Sequence, residues 1–159
     1  MHRMCFTLLV VFLSLNAAPT PDLPCGSTNC PIDRLPKIGS IDTRSCSAKY
    51  RLGTDVPGQW FFAREASVDG IFYRIGTDKS GRVKRISTDD KCFRSPEGVV
   101  IGTTLFRLRR RFPKLEVRTE GGWAHFMTLP SGWNAGFRGS SAKGSDLTGA
   151  ERVRYFFLR

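Results

Sequence analysis

The chain beyond residue 58 consists of short apolar or alternating runs separated by clusters of turn residues, which is the pattern of an antiparallel sheet. Gly81 ends the turn cluster 78–81 between two such runs and predicts a hairpin with a positive backbone φ. Val83 lies between two basic residues, so one face of the sheet is expected to be exposed to solvent. The predicted strands cover residues 59–64, 70–75, 82–86, 99–101, 115–119, 123–129, 133–138 and 152–158.

The segment 103–112 has helical periodicity instead. Leu105, Leu108 and Phe112 recur at i, i+3 and i+7 and predict an apolar face that docks on the sheet. Thr103 is the expected N-cap. The sequence therefore predicts an α+β fold, a predominantly antiparallel β meander with one short amphipathic helix, at about 103–112, packed on the sheet.

The first residues have the layout of a secretory signal peptide. A short positive region is followed by an almost uninterrupted apolar run, residues 4–15, and then by Ala17 and Ala18. Cleavage after Ala17 is preferred over cleavage after Ala18, which would leave Pro19 as the first mature residue. No later run is apolar enough to span a bilayer, so we expect a mature chain without a transmembrane span, in the periplasm or outside the cell.

The next segment, residues 18–44, contains five prolines and few apolar runs, which predicts an extended arm. The folded body is expected to begin near Ser45. The predicted organisation is a signal peptide at 1–17, a Pro-rich extended arm at 18–44 and a single α+β domain at 45–159.

Cysteine usage agrees with export. The cysteines beyond the signal peptide are Cys25, Cys30, Cys46 and Cys92. In an exported chain these four predict two disulfides, for which three pairings are possible. We favour Cys25–Cys30, which closes a short loop, and Cys46–Cys92 as a long-range link. With the cysteines oxidised and no zinc-binding pattern in the sequence, neither a metal nor another cofactor is expected.

Charge gives the main indication of a partner. Lys and Arg number 25 against 14 Asp and Glu, a formal net charge of +11, which favours acidic partners. The guanidinium group of arginine forms bidentate hydrogen bonds with carboxylates and phosphates, which the ammonium group of lysine does less well. Nucleic acid is chemically possible, but export argues against it, and a solvated helix face explains the same charges. The basic residues concentrate at Arg107, Arg109, Arg110, Arg111, Lys114 and Arg118.

Catalytic candidates are few. His125 is the only histidine beyond the signal peptide and could serve as a general base or metal ligand, although a place on the wet face of a strand explains it better. Asp89, Asp90 and Glu97 could in principle flank a sugar bond, but adjacent aspartates more often form a solvated turn. No Gly-x-Ser-x-Gly elbow is present.

Aromatic residues could form a platform for stacking a sugar or binding a protein. The core is the better explanation for most of them in a sheet of this size. Trp133 is the best candidate for exposure, because small residues surround it in the sequence, and we count it among the candidate binding residues. The aromatic residues considered are Trp60, Trp123, Trp133, Phe126 and Phe137.

The stretch Ser95-Pro-Glu-Gly98, followed by Val-Val-Ile-Gly-Thr-Thr-Leu, resembles a module found in many small exported bacterial proteins. In those proteins a Ser/Thr-Pro-x-Gly turn leads to a short apolar strand, and Gly-Thr-x-Leu then opens a helix that ends near an aromatic residue and Pro or Gly. The resemblance covers roughly residues 91–137, under a third of the chain. It implies an α+β exported fold and supplies no catalytic residues.

The sequence thus favours an exported, disulfide-stabilised, non-enzymatic binding module that recognises an acidic protein or an envelope polyanion. An inhibitor or immunity-like protein is one concrete form of this hypothesis. Two alternatives stay open: a hydrolase acting on envelope glycans or peptides, and a structural component of envelope assembly. The candidate binding residues are Arg107, Arg109, Arg110, Arg111, Lys114, Arg118 and Trp133.

Overall fold

The computed structural model describes residues 32–42, 50–53, 60–120, 124–138 and 147–159. Within these ranges the chain forms a mostly antiparallel β structure with a single short helix, which fits the predicted α+β class. The predicted signal peptide and three of the four mature cysteines lie outside the described residues. The elements are β1 Tyr50–Gly53, β2 Trp60–Val68, β3 Ile71–Thr77, β4 Val83–Thr88, α1 Leu105–Arg111, β5 Val117–Glu120, β6 Ala124–Thr128, β7 Asn134–Arg138 and β8 Val153–Leu158.

The strands form one antiparallel sheet in the order β1-β2-β3-β4-β8-β7-β6-β5. Strands β1 to β4 are neighbours in chain order, and so are β5 to β8. The two halves meet where β4 pairs with β8, with Ile86 opposite Leu158. Because β4 is central and β5 is an edge strand, the connection that contains α1 carries the chain from the middle of the sheet to its far side.

Tight turns set the register of the first hairpins. Asp69 and Gly70, between β2 and β3, both have positive φ, at 50° and 75°, the combination required by a type I′ turn. In the next hairpin the Asp78 carboxylate accepts hydrogen bonds from the backbone N–H groups of Ser80 and Arg82. Gly81 has a φ of 80°, which confirms the predicted turn.

Helix α1 begins two residues later than predicted. Thr104, not Thr103, is the N-cap, because its hydroxyl accepts a hydrogen bond from the backbone N–H of Arg107. Leu105 and Leu108 are fully buried in the same apolar cluster as residues of β3, β4 and β8, and Phe112 packs against that cluster. The two leucines of the predicted apolar face are therefore buried.

Two elements differ from the sequence-based prediction. The apolar run 99–101 is not a strand, because it makes only an isolated bridge between Val100 and Arg94. Strand β1 was not predicted, since its alternating pattern, Tyr-Arg-Leu-Gly, is only four residues long. It exists through pairing with β2, where Tyr50 lies opposite Ala63.

The described part of the Pro-rich arm packs on the sheet. The N–H of Ile32 donates to the carbonyl of Ser67, and the residues around Gly39 exchange backbone hydrogen bonds with Val83. Arg64, only 1% exposed, forms a buried ion pair with Asp42, with Nε–Oδ2 at 2.5 Å and Nη2–Oδ1 at 2.7 Å. The folded body thus includes residues 32–42, ahead of the predicted start near Ser45.

On the sheet face opposite α1, arginine side chains cover the apolar residues. Aromatic rings on this face lie beneath arginine guanidinium groups: Arg85 is 4.1 Å from the ring centroid of Phe157, and Arg159 is 4.8 Å from that of Phe126. Arg159 also pairs with Glu120. These arginines stabilise the fold by covering apolar surface, so they are weak candidates for binding a ligand.

Candidate binding surface

The arginines of α1 are all exposed, but they point in different directions. At about 100° per residue, Arg107 and Arg111 lie on one flank of the helix and Arg109 lies on the opposite flank. Arg110 points away from the buried leucines. The four arginines are therefore distributed around the exposed side of the helix and do not form a single stripe.

Phe106 adds an apolar side chain to the surface formed by the α1 arginines. Its side chain is 57% exposed, more than that of any other large hydrophobic residue in the described ranges. The guanidinium of Arg110 lies 5.9 Å from its ring centroid. The backbone N–H of Phe106 donates to the carbonyl of Gly149, so the ring stands on a fixed backbone. Exposed aromatic residues next to arginine are typical of protein interfaces.

The positive charge of α1 is not neutralised locally. Among the described residues, no carboxylate lies within 4.0 Å of a guanidinium nitrogen of Arg107, Arg109, Arg110 or Arg111, and the first turn of the helix contains no acidic residue. A half-exposed arginine elsewhere, Arg74, does have such a partner in Asp89, at 3.0 Å. The surface of α1 is therefore suited to an external anion.

Glu97 is the last acidic residue before α1, and its carboxylate is used elsewhere. It accepts hydrogen bonds from the backbone N–H of Ser131, at 2.5 Å, and from the Ser131 hydroxyl, at 3.0 Å. Burial opposes ionisation of Glu97, but these hydrogen bonds outweigh it, so the pKa of Glu97 lies below its ordinary value. Glu97 thus remains an anion that is committed to the turn around Ser131.

Lys114 and Arg118 lie together in a small cleft of about 170 Å³ at the start of β5. Leu115, Glu116 and Thr128 complete its lining. The Glu116 carboxylate reduces the net charge of this cleft. The predicted basic patch therefore has two parts: the four arginines of α1, and the cleft with Lys114 and Arg118, which has a lower net positive charge.

Trp133 does not belong to the surface, and the expectation that it is exposed is wrong. Its side chain is 8% exposed. Its ring centroid lies 4.8 Å from that of Phe93 and 6.5 Å from that of Tyr73. Burial also raises the pKa of Tyr73 to about 12, so this cluster is uncharged. The small sequence neighbours of Trp133 gave no sign that Phe93, from a distant loop, would cover it.

The catalytic candidates have structural contacts. His125 is 1% exposed, which corrects its expected place on a wet face, and its Nδ1 lies 3.0 Å from the Thr119 hydroxyl. Asp89 pairs with Arg74, while Asp90 accepts hydrogen bonds from two backbone N–H groups. In the described part of the chain, no group of three or more His, Cys, Asp or Glu residues could hold a metal ion.

A concavity of about 540 Å³ lies beside the β3–β4 hairpin. Phe61 and Phe62 supply its apolar lining, and Lys79 and Lys84 supply positive charge. Asp78 offsets part of that charge through its ion pair with Lys84, at 3.7 Å. The surface of α1, which has no such counter-ion among the described residues, is the better candidate for an acidic partner.

Sequence reasoning missed one basic residue near α1. Nη1 of Arg94 and Nη1 of Arg111 each lie 3.9 Å from the position that a Cβ on Gly98 would occupy. The Ser-Pro-Glu-Gly turn explained Gly98 as a backbone requirement, and its φ of 77° agrees. The turn gave no indication that two arginines approach it from different elements.

The described residues contain no helix long and apolar enough to cross a membrane. Comparison with known proteins found no match to this chain among family models, curated proteins or solved structures. The resemblance of residues 91–137 to an exported module stays a prediction. The function is therefore argued from the surface itself.

Proposed function

We propose that this protein is an exported, disulfide-stabilised binding module that recognises an acidic protein through the exposed side of α1. The observation that carries the proposal is the group of four exposed arginines around Phe106, with no carboxylate partner among the described residues. Lys114 and Arg118 extend the basic surface toward β5. An inhibitor or immunity-like protein would use such a surface.

The way α1 is held supports this role. The proposal takes the helix as packed on an antiparallel meander, and the full burial of Leu105 and Leu108 supports that packing. A helix that is fixed before binding loses less conformational entropy when a partner docks. The arginine side chains still lose freedom, but the backbone that carries them does not.

The energetics favour a protein over a small anion. Four exposed ion pairs at about 0.5 kcal/mol each contribute about 2 kcal/mol. Burial of the Phe106 side chain adds about 2 kcal/mol more. Association itself costs at least about 4 kcal/mol, so these contacts must be part of a larger interface. A protein offers the additional surface, whereas a simple polyanion would use the arginines and leave Phe106 exposed.

Export and oxidation are also part of the proposal. The signal peptide 1–17 would direct the chain to the periplasm or the exterior, where the pairs Cys25–Cys30 and Cys46–Cys92 would be oxidised. The basic surface would then meet acidic proteins of the envelope or of the surroundings. This setting also argues against nucleic acid as the partner.

The test uses a fluorescein-labelled peptide of about twenty residues, with glutamate at every second position and leucine at some of the others, as the probe. Fluorescence anisotropy would give its affinity for the wild type, for Arg107→Gln/Arg110→Gln and for Phe106→Ala. The matched control, Lys37→Gln/Lys79→Gln, removes the same charge from exposed positions elsewhere. Polyphosphate of equal charge is the second probe.

We expect the helix variant to bind the peptide about fivefold more weakly and the control to stay within about twofold of the wild type. Phe106→Ala should weaken binding of the peptide but not of polyphosphate. Equal weakening by the helix variant and the control would mean that only net charge matters, and the proposal would then be wrong. Polyphosphate that binds more tightly than the peptide would indicate an envelope polyanion instead.

A further inference from the structure

We propose that Arg94 and Arg111 form a clamp beside Gly98 that holds one aspartate or glutamate carboxylate of the acidic partner. The inference rests on the proposed function and names the contact that would fix the partner on the surface. Arg94 comes from the loop after β4, and Arg111 comes from the last turn of α1.

The two guanidinium groups both lie close to Gly98. Nη1 of Arg94 and Nη1 of Arg111 lie 3.9 Å from the Cβ position of Gly98, and Nη2 of Arg111 lies 4.0 Å from it. The two Nη1 atoms are therefore at most about 8 Å apart. A carboxylate that accepts at about 2.8 Å through each oxygen can bridge two nitrogens roughly 5 to 8 Å apart. The upper limit on the separation of the two Nη1 atoms lies within this range.

Both arginines are oriented without a ligand. Nη1 of Arg94 donates to the carbonyl of Gly98 at 3.4 Å, and the backbone of Arg94 forms a bridge with Val100. The guanidinium carbon of Arg111 lies 5.3 Å from the ring centroid of Phe112. Because Phe112 packs against the core, the Arg111 guanidinium contacts a ring whose position is fixed. A ligand would meet two donors that are already in place.

The arrangement lacks a counter-ion of its own. Two like charges at this separation repel each other, and an anion between them relieves the repulsion. Glu97 is adjacent to Gly98 in the sequence, but its carboxylate is bound by Ser131. No carboxylate in the described ranges lies within 4.0 Å of either guanidinium. The turn thus brings two arginines together while it holds the adjacent acid elsewhere.

Gly98 keeps the gap open. With a φ of 77°, it has a backbone conformation that glycine adopts without strain. A Cβ at this position would also lie about 3.9 Å from Nη1 of each arginine, in contact with both guanidinium groups. The same glycine that shapes the turn therefore leaves room for a ligand carboxylate.

The test measures binding of the labelled glutamate peptide at about 20 mM and 150 mM salt. The variants are Arg94→Gln, Arg111→Gln and the double variant. Arg94→Lys and Arg111→Lys keep the charge but remove the planar fork. Arg154→Gln, which removes an exposed arginine of β8 outside the proposed surface, is the matched control for charge. Thermal unfolding verifies that each of these surface variants is folded.

We expect each single Gln variant to bind about five- to tenfold more weakly, and each Lys variant to lose most of that affinity as well. The double variant should lose less than the product of the two single losses, because either change already opens the clamp. Arg154→Gln should bind within about twofold of the wild type. The arginine Nε–Hε resonances of Arg94 and Arg111 should shift together as the peptide is added.

Other results would overturn the inference in distinguishable ways. If Arg94→Gln and Arg111→Gln bind like the wild type while Arg107→Gln/Arg110→Gln binds weakly, the clamp is wrong and the proposed function stands. If the wild type fails to bind the peptide even at low salt, both are wrong. If inorganic phosphate displaces the peptide at an equal concentration of anionic groups, the site takes phosphate, and the assignment to a carboxylate is wrong.

Discussion

The ring of Tyr155 on β8 covers the backbone of Gly136 on β7, so closely that a Cβ on Gly136 would lie 2.4 Å from Cζ of the tyrosine. The two residues are directly opposite in the antiparallel pair. Because the ring occupies the place of a side chain, this strand tolerates nothing larger than glycine without a shift.

Gly136→Ala should therefore destabilise the domain by about 2 kcal/mol, since the ring or the strand must move. Gly76→Ala is the graded comparison, because its Cβ would meet Cβ of Phe61 at 3.0 Å and needs a smaller adjustment. Urea unfolding gives both values. Equal losses at the two positions would show that the Tyr155 contact is not what restricts residue 136.

The buried pair of Asp42 and Arg64 attaches the described part of the arm to the sheet. Asp42→Asn should reduce the free energy of unfolding by about 3 kcal/mol, because it leaves the Arg64 guanidinium charged and buried. Asp89→Asn, which breaks the exposed pair with Arg74, should cost less than about 1 kcal/mol. A loss of similar size in the two variants would contradict the assigned role of the buried pair.

The pH dependence of stability should include a contribution from Glu97. Its pKa is lowered on folding from an ordinary value of 4.5. Such a group adds stability above the unfolded pKa and loses it as the pH falls through the lowered folded pKa. The difference in unfolding free energy between the wild type and Glu97→Gln should thus be constant near neutral pH and shrink below about pH 4.5.

The Ser131→Ala variant is the control for that measurement. It removes the hydroxyl that bonds to Glu97 but keeps the backbone N–H, so the pH-dependent difference should become smaller without vanishing. A difference between the wild type and Glu97→Gln that does not change between about pH 6 and pH 3 would contradict the assignment.

The cysteine pairing is a separate prediction. Peptide mapping of the unreduced mature protein should find Cys25 joined to Cys30 and Cys46 joined to Cys92. Reduction of the long-range link should lower the free energy of unfolding by about 4 kcal/mol, the value expected for a loop of this length. Recovery of either of the other two pairings would contradict the assignment.

Local patterns in the sequence predicted those features that depend on neighbouring residues. The hairpin at Gly81 and the buried side of α1, with Leu105 and Leu108, follow from turn chemistry and from helical periodicity. These signals are contained in segments of about ten residues, so no knowledge of the rest of the fold is needed.

The features that were missed depend on contacts between distant segments. Arg64 has the sequence context of a half-buried strand, and only its pairing with Asp42 explains its full burial. Trp133 is covered by Phe93, which is forty residues away in the chain. Arg94 and Arg111 both approach Gly98, although they are seventeen residues apart in the chain. Period and composition contain none of this information.

The most direct test of the central claim is to map where an acidic ligand binds. Backbone amide and arginine Nε–Hε resonances of the isotope-labelled protein would be followed during titration with the glutamate peptide. We predict that the largest shifts occur along α1 and at Arg94, with smaller shifts at Lys114 and Arg118. Largest shifts at Lys37, Lys79 and Lys84, or equal shifts at basic residues over the whole surface, would contradict the claim that α1 recognises the acidic partner.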